Sequence, residues 1–305
     1  MDSISRKSIL KTHKFSFVGI AGKPNVGKST LINALVGEKI AIVSDKSQTT
    51  RGRILGIKNS DKYQFVFVDT PGLHKGKKTL NRTIVKSAEN ALTEVDVILL
   101  VVDRIASSKD KFIYQKLASL DIPMILVVNK IDLLQSKKDI DKIILSFLEF
   151  LDFKYVIPIS AKKKSNFDYL IESIYLISNE GEKMFPEDYI SNQTEISKIS
   201  EWIREKVLLE TKEEIPHSVA VIIDNISENS KYNSLDVNAS IIVERASQKK
   251  ILIGKNGQKL KSIGTKARLD LNKTLKKKIY LELWVKVKKN WSQNQKDISN
   301  FGYGG

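Results

Sequence analysis

The first half of the chain alternates short apolar runs with stretches of helical periodicity. The apolar runs are continuous and rich in β-branched residues, as expected of strands buried on both faces of a parallel sheet. They cover residues 15–21, 65–68, 97–102, 124–128 and 156–159, and helical patterns follow at about 28–37, 79–93, 109–119, 138–150 and 167–180. These repeated strand–helix–strand units predict a doubly wound, mostly parallel α/β domain.

A hairpin and a linker complete this first half. Residues 54–57 and 63–68 are apolar stretches joined through an Asn-Ser-Asp turn, which predicts an antiparallel edge on the sheet. After residue 180 glycine and proline interrupt the pattern and the sequence becomes polar. We therefore predict a first domain over residues 1–180 and a linker over residues 181–194.

The second half has a different order of elements. The pattern predicts a helix, two strands, a short helix, a longer helix and a last strand. They fall at about 195–210, 218–226, 235–243, up to 253, 258–277 and 279–287. The order α-β-β-α-α-β predicts a separate α+β domain over residues 195–305, which ends in a basic tail.

Positive charge concentrates in this second domain. Residues 245–289 hold 15 Lys and Arg against two acidic residues, so they carry +13 of the formal net charge of +16. A polyanion such as a nucleic acid is the natural partner of this segment. A basic face that only keeps the protein in solution is the alternative.

Cysteine and long apolar runs are both missing from the 305-residue sequence. Without cysteine there is no disulfide framework and no thiolate metal site, which suits a reducing compartment. The start of the chain is polar and basic, and the longest apolar run, residues 97–102, is far shorter than a membrane span. We expect a soluble, cytoplasmic, monomeric protein and leave peripheral contact with a membrane open.

A phosphate-binding loop follows the first predicted strand. Residues 22–29 fit G-x-x-x-x-G-K-S between a strand and a helix, the context that this motif requires. Its backbone N–H groups and the helix N-terminus favour phosphate. Lys28 is expected to contact the β- and γ-phosphates, and the Ser29 hydroxyl to bind Mg²⁺. The predicted nucleotide contacts of this loop are Gly22, Lys23, Pro24, Asn25, Val26, Gly27, Lys28, Ser29 and Thr30.

A second phosphate motif, D-x-x-G, follows the strand at 65–68. Asp69 is expected to reach Mg²⁺ through a water, and the Gly72 N–H to sense the γ-phosphate. A lone D-x-x-G is a weak signal, but its place at the end of a buried strand strengthens it. The predicted nucleotide contacts here are Asp69, Thr70, Pro71, Gly72 and Leu73.

Two further motifs indicate which base is bound. The Asp132 carboxylate can accept from both N1–H and the N2 amino group of guanine, whereas adenine lacks this pair of donors. The Ala161 N–H is expected to donate to the guanine O6. Because ligands bind at the carboxyl ends of strands in open α/β sheets, these motifs converge and predict a GTPase that binds GTP and GDP. The predicted base-side contacts are Asn129, Lys130, Asp132, Ser160, Ala161 and Lys162.

Residues 47–51, Ser-Gln-Thr-Thr-Arg, lie where a switch loop is expected. Thr50 is our candidate for the second hydroxyl that contacts Mg²⁺, and Thr49 is the alternative. A γ-phosphate would order such a loop, and hydrolysis would release it. Arg51 is interpreted as solvent-facing or as a switch contact rather than as an arginine finger.

The group that drives hydrolysis is less obvious. Leu73 stands where many GTPases carry a water-orienting Gln, so intrinsic hydrolysis should be slow or use another element. The Asn25 oxygen offers one route by holding K⁺ against the phosphates; the alternative is that Asn25 only shapes the loop. His74 is interpreted as exposed and not as a base. The catalytic roles are assigned to Lys28, Thr50 and Gly72.

A G-x-x-G turn between two basic helices predicts an RNA clamp. Such a loop has no Cβ at its ends and presents N–H groups to the sugar–phosphate backbone, so we expect it to bind about four nucleotides of single-stranded RNA. Trp284 and Trp291 are candidates to stack on bases, although the strand pattern around Trp284 favours the core. The predicted RNA-binding residues are Lys250, Ile253, Gly254, Lys255, Asn256, Gly257, Lys259, Lys261 and Arg268.

Together these residues resemble the Era family of bacterial GTPases almost from end to end. The matching segments are GKPNVGKSTLINALVG, SQTTR, DTPGLH, NKID, PISAK, FPEDYIS, PHSVAV and IGKNGQKLKSIGTKAR. Lys164-Ser165 and Asn256 stand where the family often has glycine. The resemblance implies a P-loop GTPase domain followed by a type II KH domain. It also implies binding near the 3′ end of 16S ribosomal RNA, a role in maturation or assembly of the small (30S) ribosomal subunit, and peripheral association with the inner membrane.

The main alternative is a constitutive RNA-binding protein whose nucleotide pocket is only structural. The intact Lys28, Ser29 and Asp132 argue against it. A ribosome factor with two GTPase domains would need a second G-x-x-x-x-G-K-S, and the sequence has one. A membrane-trafficking switch is disfavoured because neither end shows a lipidation motif.

Overall fold

The structure, a computed structural model, describes residues 13–46, 49–73, 79–211, 215 and 218–303. The first domain contains seven strands and five α-helices within this range. The strands are β1 (Lys14–Ala21), β2 (Ile54–Asn59), β3 (Tyr63–Asp69), β4 (Val97–Val102), β5 (Met124–Val128), β6 (Tyr155–Pro158) and β7 (Asn179–Glu180). The helices are α1 (Lys28–Val36), α2 (Thr79–Leu92), α3 (Lys111–Ala118), α4 (Lys137–Leu148) and α5 (Phe167–Ile177).

The strands form one sheet in the order β2-β3-β1-β4-β5-β6. All neighbours along this path are parallel except β2 and β3, which form the predicted antiparallel hairpin. Alternate residues of β4 enter two separate apolar clusters on the two faces of the sheet, which explains why this strand has no polar position. The predicted doubly wound α/β fold is confirmed.

The end of the first domain differs from the prediction. The last helix was expected to run to residue 180, but α5 ends at Ile177 and β7 pairs antiparallel with Lys14 and Phe15 at the start of β1. The start of β1 is free for this pairing because β4 pairs with β1 only from Val18 onward. Backbone pairing therefore outweighs helical periodicity at this point.

The segment 181–194 lies along the β2–β3 edge of the first domain. The Ile57 N–H donates to the Ile190 carbonyl over 2.8 Å. The Gln64 side-chain oxygen accepts from the N–H groups of Met184 and Phe185 at 2.8 and 3.0 Å. These contacts hold the predicted linker against the first domain.

The second domain follows the predicted order of elements and adds a short last helix. Its elements are α6 (Glu195–Glu210), β8 (Ala220–Asn229), β9 (Ser234–Val243), α7 (Ala246–Ile253), α8 (Gln258–Leu275), β10 (Lys278–Val287) and α9 (Gln295–Asn300). The sheet order is β10-β9-β8, with β9 antiparallel to β8 and parallel to β10. None of the helices in the described part of the chain has the length and apolar character to cross a membrane.

Two apolar contacts join the domains. Leu80 and Ile84 of α2 pack in one cluster with Trp291 and Ile298, which belong to the C-terminal segment. Ile42, which precedes β2, is buried in the core of the second domain. The basic tail that we predicted is therefore part of the domain interface.

Candidate nucleotide pocket and RNA-binding loop

A cavity of about 430 Å³ opens at the carboxyl ends of the parallel strands. It is lined by the phosphate-binding loop, by the segment that precedes β2, by Gly72 and by Lys130. The predicted phosphate and switch residues therefore converge on one cavity.

The phosphate-binding loop is tied to the base-recognition motif. Gly27 has φ 97°, and a Cβ at this position would lie 2.4 Å from the Asn129 side-chain nitrogen. Asn129 Nδ2 instead donates to the Val26 carbonyl at 2.8 Å. Lys130 Nζ donates to the Asn25 carbonyl at 2.6 Å. Glycine at position 27 thus permits the end of β5 to close on the loop.

Lys28 lies at the centre of the loop and is 6% exposed. Its Nζ donates to the carbonyl oxygens of Gly22 and Lys23 at 3.1 and 3.0 Å. Burial lowers the pKa of Lys28 to about 8, although Asp69 opposes the shift. A cation held by two weak acceptors is positioned to exchange them for phosphate oxygens.

Three oxygen-bearing side chains meet beside Lys28. Ser29 Oγ lies 2.9 Å from Thr50 Oγ1 and donates to Asp69 Oδ2 at 3.1 Å. Thr50 Oγ1 lies 3.3 Å from the same carboxylate oxygen. Burial raises the pKa of Asp69 to about 6, against the opposing effects of Lys28 and the two hydroxyls. Asp69 Oδ1 is buried and has no hydrogen-bond partner among the described residues. This hard-oxygen set fits Mg²⁺.

The switch threonines separate clearly. Thr49 Oγ1 donates to the Lys46 carbonyl at 2.6 Å, whereas Thr50 faces Ser29 and Asp69. The geometry therefore favours Thr50 over Thr49 as the metal-contacting hydroxyl. Ser47 and Gln48 lie outside the described residues.

Gly72 lies against the phosphate-binding loop. A Cβ on Gly72 would lie 2.7 Å from the Pro24 nitrogen, so this close approach requires glycine. Leu73 is 5% exposed, and its N–H donates to the Gly22 carbonyl at 3.1 Å. Its side chain enters the apolar core and is unable to orient a water. His74 lies outside the described residues.

The base-recognition residues form a hydrogen-bonded group. The Ala161 N–H, which we expected to donate to the guanine O6, donates to Asn129 Oδ1 at 2.9 Å. Ser160 Oγ donates to Asp132 Oδ1 at 2.5 Å. This hydrogen bond is the main cause that lowers the pKa of Asp132, so its carboxylate stays ionised. Ala161 and Ser160 thus orient Asn129 and Asp132, the residues predicted to contact the base.

The remaining predicted contacts are dispersed. Thr70 Oγ1 donates to the Ile20 carbonyl at 2.8 Å, and Lys23 pairs with Asp110 at the start of α3. Pro71 and Val26 are buried, Thr30 lines the cavity, and Lys162 is exposed.

The second domain holds the segment that leads into the switch, a feature that the sequence did not reveal. Glu205 of α6 accepts from Lys39 Nζ at 2.6 Å and from the Val43 N–H at 2.9 Å. Its side chain is only 4% exposed. Arg204, which is fully buried, donates to the Thr49 carbonyl. One turn of α6 therefore holds the backbone at Val43 and at Thr49, two residues of the segment that forms this wall of the cavity.

Arg51 also belongs to this interface. It is 1% exposed, its Nη1 donates to the Val219 carbonyl at 2.7 Å, and its guanidinium lies 5.1 Å from the Tyr303 ring. The interpretation of Arg51 as solvent-facing is wrong, because the second domain covers it. Its guanidinium contacts that domain, so it does not act as an arginine finger in this arrangement.

The G-x-x-G loop joins α7 and α8 through backbone angles that suit its residues. Gly254, Asn256 and Gly257 have φ of 72°, 49° and 74°. A Cβ on Gly254 would lie 2.8 Å from the Lys259 Cβ, whereas Gly257 faces open space. Lys255 and Asn256 are exposed. Asparagine tolerates the left-handed region, which explains how it replaces glycine at position 256.

The basic residues around this loop are mostly on the surface. Lys250, Lys261 and Arg268 are exposed, and Ile253 and Lys259 are half-buried. Among the later lysines, three pair with carboxylates of their own domain. These pairs are Lys277–Glu228, Lys286–Asp224 and Lys288–Asp297.

The two candidate stacking residues behave opposite to expectation. Trp291 is fully buried and donates its Nε1–H to the Ser218 carbonyl at 3.1 Å, so it is not available to a base. Trp284, which the strand pattern favoured as core, is 45% exposed. The aliphatic residues Ile279, Leu281, Leu283 and Val285 of its strand face the core of the second domain. Strand alternation therefore places Trp284 on the opposite face, together with Tyr280.

Comparisons with known proteins find matches to both domains. A family model described as 50S ribosome-binding GTPase matches residues 17–130, and a KH domain model matches residues 214–292. The chain is 41% identical to a variant Era of Aquifex aeolicus in a crystal structure with GDP·AlF4⁻, with a TM-score of 0.92. It is also 41% identical, with the same TM-score, to Era in complex with MgGDPNP and nucleotides 1506–1542 of 16S ribosomal RNA. Each match covers 96% of this chain and 100% of the other.

Proposed function

The chain belongs to the Era family of GTPases, and we propose that it is a GTP-hydrolysing switch that binds 16S ribosomal RNA near its 3′ end. Its role is then in maturation or assembly of the 30S subunit. One observation carries this proposal: Ser29 and Thr50, which are hydrogen-bonded to the buried Asp69, line a cavity whose wall is held by the RNA-binding domain. The end-to-end similarity to Era bound to MgGDPNP and 16S RNA supports the same conclusion.

Phosphate binding uses charge and backbone groups that are already in place. Lys28 exchanges its two carbonyl acceptors for phosphate oxygens, and the α1 N-terminus adds backbone N–H groups. Ser29, Thr50 and Asp69 are the residues that would hold Mg²⁺, with Asp69 through a water. When bound, this ion would supply positive charge that offsets the negative charge on the phosphates.

Guanine selection rests on Asp132. Its ionised carboxylate accepts two donors of guanine, and the hydrogen bond from Ser160 fixes its orientation. Adenine would leave this carboxylate without those partners, and an unpaired charged acceptor is costly.

Hydrolysis has to proceed without a glutamine after Gly72. We propose that the Asn25 side-chain oxygen holds K⁺ beside the phosphates and so supplies positive charge in the transition state. Asn25 Nδ2 donates to the Asp45 carbonyl at 2.7 Å, which leaves the side-chain oxygen for a cation. Lys28, Thr50 and Gly72 position the γ-phosphate.

RNA binding falls to the G-x-x-G loop and the exposed cations around it. The loop of residues 254–257 contacts about four nucleotides, and Lys250, Lys261 and Arg268 contribute charge. The switch segment links the RNA-binding domain to GTP, because Glu205 and Arg204 of that domain hold Val43 and Thr49 in the wall of the nucleotide cavity.

The experiment that tests this function is RNA affinity in two nucleotide states. A short single-stranded RNA with the sequence of the 16S 3′ end is titrated in GDP and in a non-hydrolysable GTP analogue. Tighter binding with the analogue is expected. Equal binding would leave two separate activities on one chain, and no binding would remove the RNA function.

We further propose a monomeric, cytoplasmic protein that associates peripherally with the inner membrane. We also propose the domain division into residues 1–180, 181–194 and 195–305. Co-sedimentation with anionic vesicles tests the membrane contact, and sedimentation velocity tests the monomer.

A further inference from the structure

The outer face of the second sheet, opposite its helices, carries two exposed aromatic rings. Tyr280 and Trp284 of β10 are each 45% exposed, whereas the alternate residues Ile279 and Val285 are buried in the core. A spacing of four residues along a strand separates the rings by about 13 Å on the same face. Large exposed rings on one face usually mark an interaction surface.

The C-terminal segment covers one end of this outer face and leaves the end with Tyr280 and Trp284 exposed. Ala220 and Ile242, on the same outer face, pack with Trp291 and Ile298 of the C-terminal segment. The domain interface therefore covers the far end of the sheet. The part that carries Tyr280 and Trp284 has no such cover among the described residues.

The open face adjoins the predicted RNA clamp. β10 is the edge strand of its sheet, and its inner side packs against α8, where a Cβ on Gly264 would lie 3.4 Å from Leu283. An RNA strand held at the G-x-x-G loop and extended along α8 and β10 would reach the edge of the sheet at β10. The rings of Tyr280 and Trp284 lie just around that edge.

The charges on this face suit a nucleic acid. Lys278 lies with its Nζ 5.0 Å from the Tyr280 ring. Lys286 follows Trp284 along the strand and pairs with Asp224 at 3.3 Å, an acceptor that a phosphate would have to replace. The exposed Glu282 lies between the rings, where a carboxylate repels phosphate but accepts from amino groups of bases. If the bases face the sheet, their amino groups can donate to Glu282 while the phosphates lie near Lys278 and Lys286.

We propose that Tyr280 and Trp284 form a stacking surface for nucleotides that lie beyond those held by the G-x-x-G loop. This proposal rests on the RNA-binding function proposed above. Aromatic rings on an exposed sheet bind single-stranded RNA by stacking, which tolerates many sequences. A membrane surface fits less well, because Glu282 and Asp236 would have to approach anionic headgroups and an apolar interior.

Tryptophan fluorescence tests this directly in the unmodified protein. Trp202 and Trp291 are fully buried, so Trp284 is the exposed one of the three tryptophans. An RNA of about twelve nucleotides is expected to quench its emission and protect it from acrylamide. An RNA of four nucleotides, which fills only the loop site, is expected to bind without this change.

Variants separate stacking from folding. Trp284→Ala is expected to weaken binding of the longer RNA about five- to 100-fold and to leave affinity for the four-nucleotide RNA and for GTP unchanged. Trp284→Phe keeps a ring, so it should retain most of the affinity while losing the fluorescence signal. Tyr169→Ala is the matched control, since Tyr169 is an exposed aromatic of α5 in the first domain.

Each result has a definite meaning. Equal quenching by both RNAs, or unchanged affinity of Trp284→Ala for the longer RNA, would overturn the proposal. Quenching by anionic vesicles but not by RNA would assign the face to a membrane instead. Failure of both RNAs to bind at all would reject the RNA function itself, which is a different outcome.

Discussion

The two walls of the nucleotide cavity are supported by different domains. The wall that faces the phosphates and the base is tied together inside the first domain, where Asn129 and Lys130 bond to the phosphate-binding loop. The wall formed by the switch segment is held by α6, through Glu205 and Arg204. The first wall depends on strands that are buried on both faces, and the second depends on a domain interface.

This difference separates two properties of the protein. Nucleotide affinity and base choice should belong to the first domain, because the hydrogen bonds described for Lys28, Asn129 and Asp132 stay within it. The arrangement of Thr50 beside Ser29 and Asp69 should depend on both domains. Movement of α6 therefore offers a physical route between bound RNA and the phosphate site.

Asp132→Asn changes the residue that is proposed to select guanine on the first wall of the cavity. An amide no longer accepts from both guanine donors but can donate to the second oxo group of xanthine. We expect preference for GTP over XTP to fall by about 10³-fold, from the loss of two charge-assisted hydrogen bonds. Competition between the two nucleotides measures this. Retained guanine selectivity would contradict the role of Asp132, and RNA affinity should stay unchanged as a control.

Asn25 connects the two walls, because its Nδ2 donates to the Asp45 carbonyl, and its proposed role as a K⁺ ligand can be tested by exchanging cations. If the Asn25 oxygen holds K⁺, replacing K⁺ by Na⁺ should slow GTP hydrolysis by about 100-fold, as expected for loss of one transition-state contact. Asn25→Ala should abolish this difference, whereas GDP affinity should change little. Equal rates in the two salts would show that Asn25 only shapes the loop.

The G-x-x-G loop lies outside both walls of the nucleotide cavity, so substitutions there should change RNA binding alone. Lys255→Asp combined with Asn256→Asp adds negative charge at the phosphate contact, and aspartate tolerates the positive φ at position 256. RNA affinity should fall about 10- to 50-fold, with unchanged GTP affinity. Lys138→Asp, on α4 of the first domain, is the charge control. Unchanged RNA affinity would remove the G-x-x-G loop from the site.

The switch wall is tested by Glu205→Gln. The amide still accepts from the Val43 N–H, but it loses the charge that pairs with Lys39 and Lys206. We expect the ratio of RNA affinities in the GTP-analogue and GDP states to move about fivefold toward one. Glu195→Gln, exposed at the start of the same helix, is the matched control. An unchanged ratio would show that α6 does not transmit the nucleotide state.

Several elements were predictable because their cause is local. The strands of the first sheet are continuous apolar runs, and the phosphate-binding loop needs glycine where φ is positive. Two substitutions for glycine follow the same rule. Lys164 and Asn256 both have positive φ, at 55° and 49°, so the backbone keeps a conformation typical of glycine without the residue.

Other features were not predictable because they depend on distant partners. A polar arginine such as Arg51 reads as exposed until Val219 and Tyr303 cover it. Trp291 lies in a polar stretch of the sequence, yet it is fully buried. The burial of Trp291 depends on distant residues, because it packs in one cluster with Leu80 and Ile84 of α2 in the other domain.

The sequence by itself determined the fold class, the chemistry of the phosphate and base contacts, and the place of the RNA loop. These depend on short-range periodicity and on motifs whose spacing is set by one strand and one helix. Only the tertiary structure decided that Thr50 rather than Thr49 faces Ser29 and Asp69, and that α6 holds the switch segment. The contact between Arg204 and Thr49 joins residues 155 positions apart, and no local pattern records a contact over that distance.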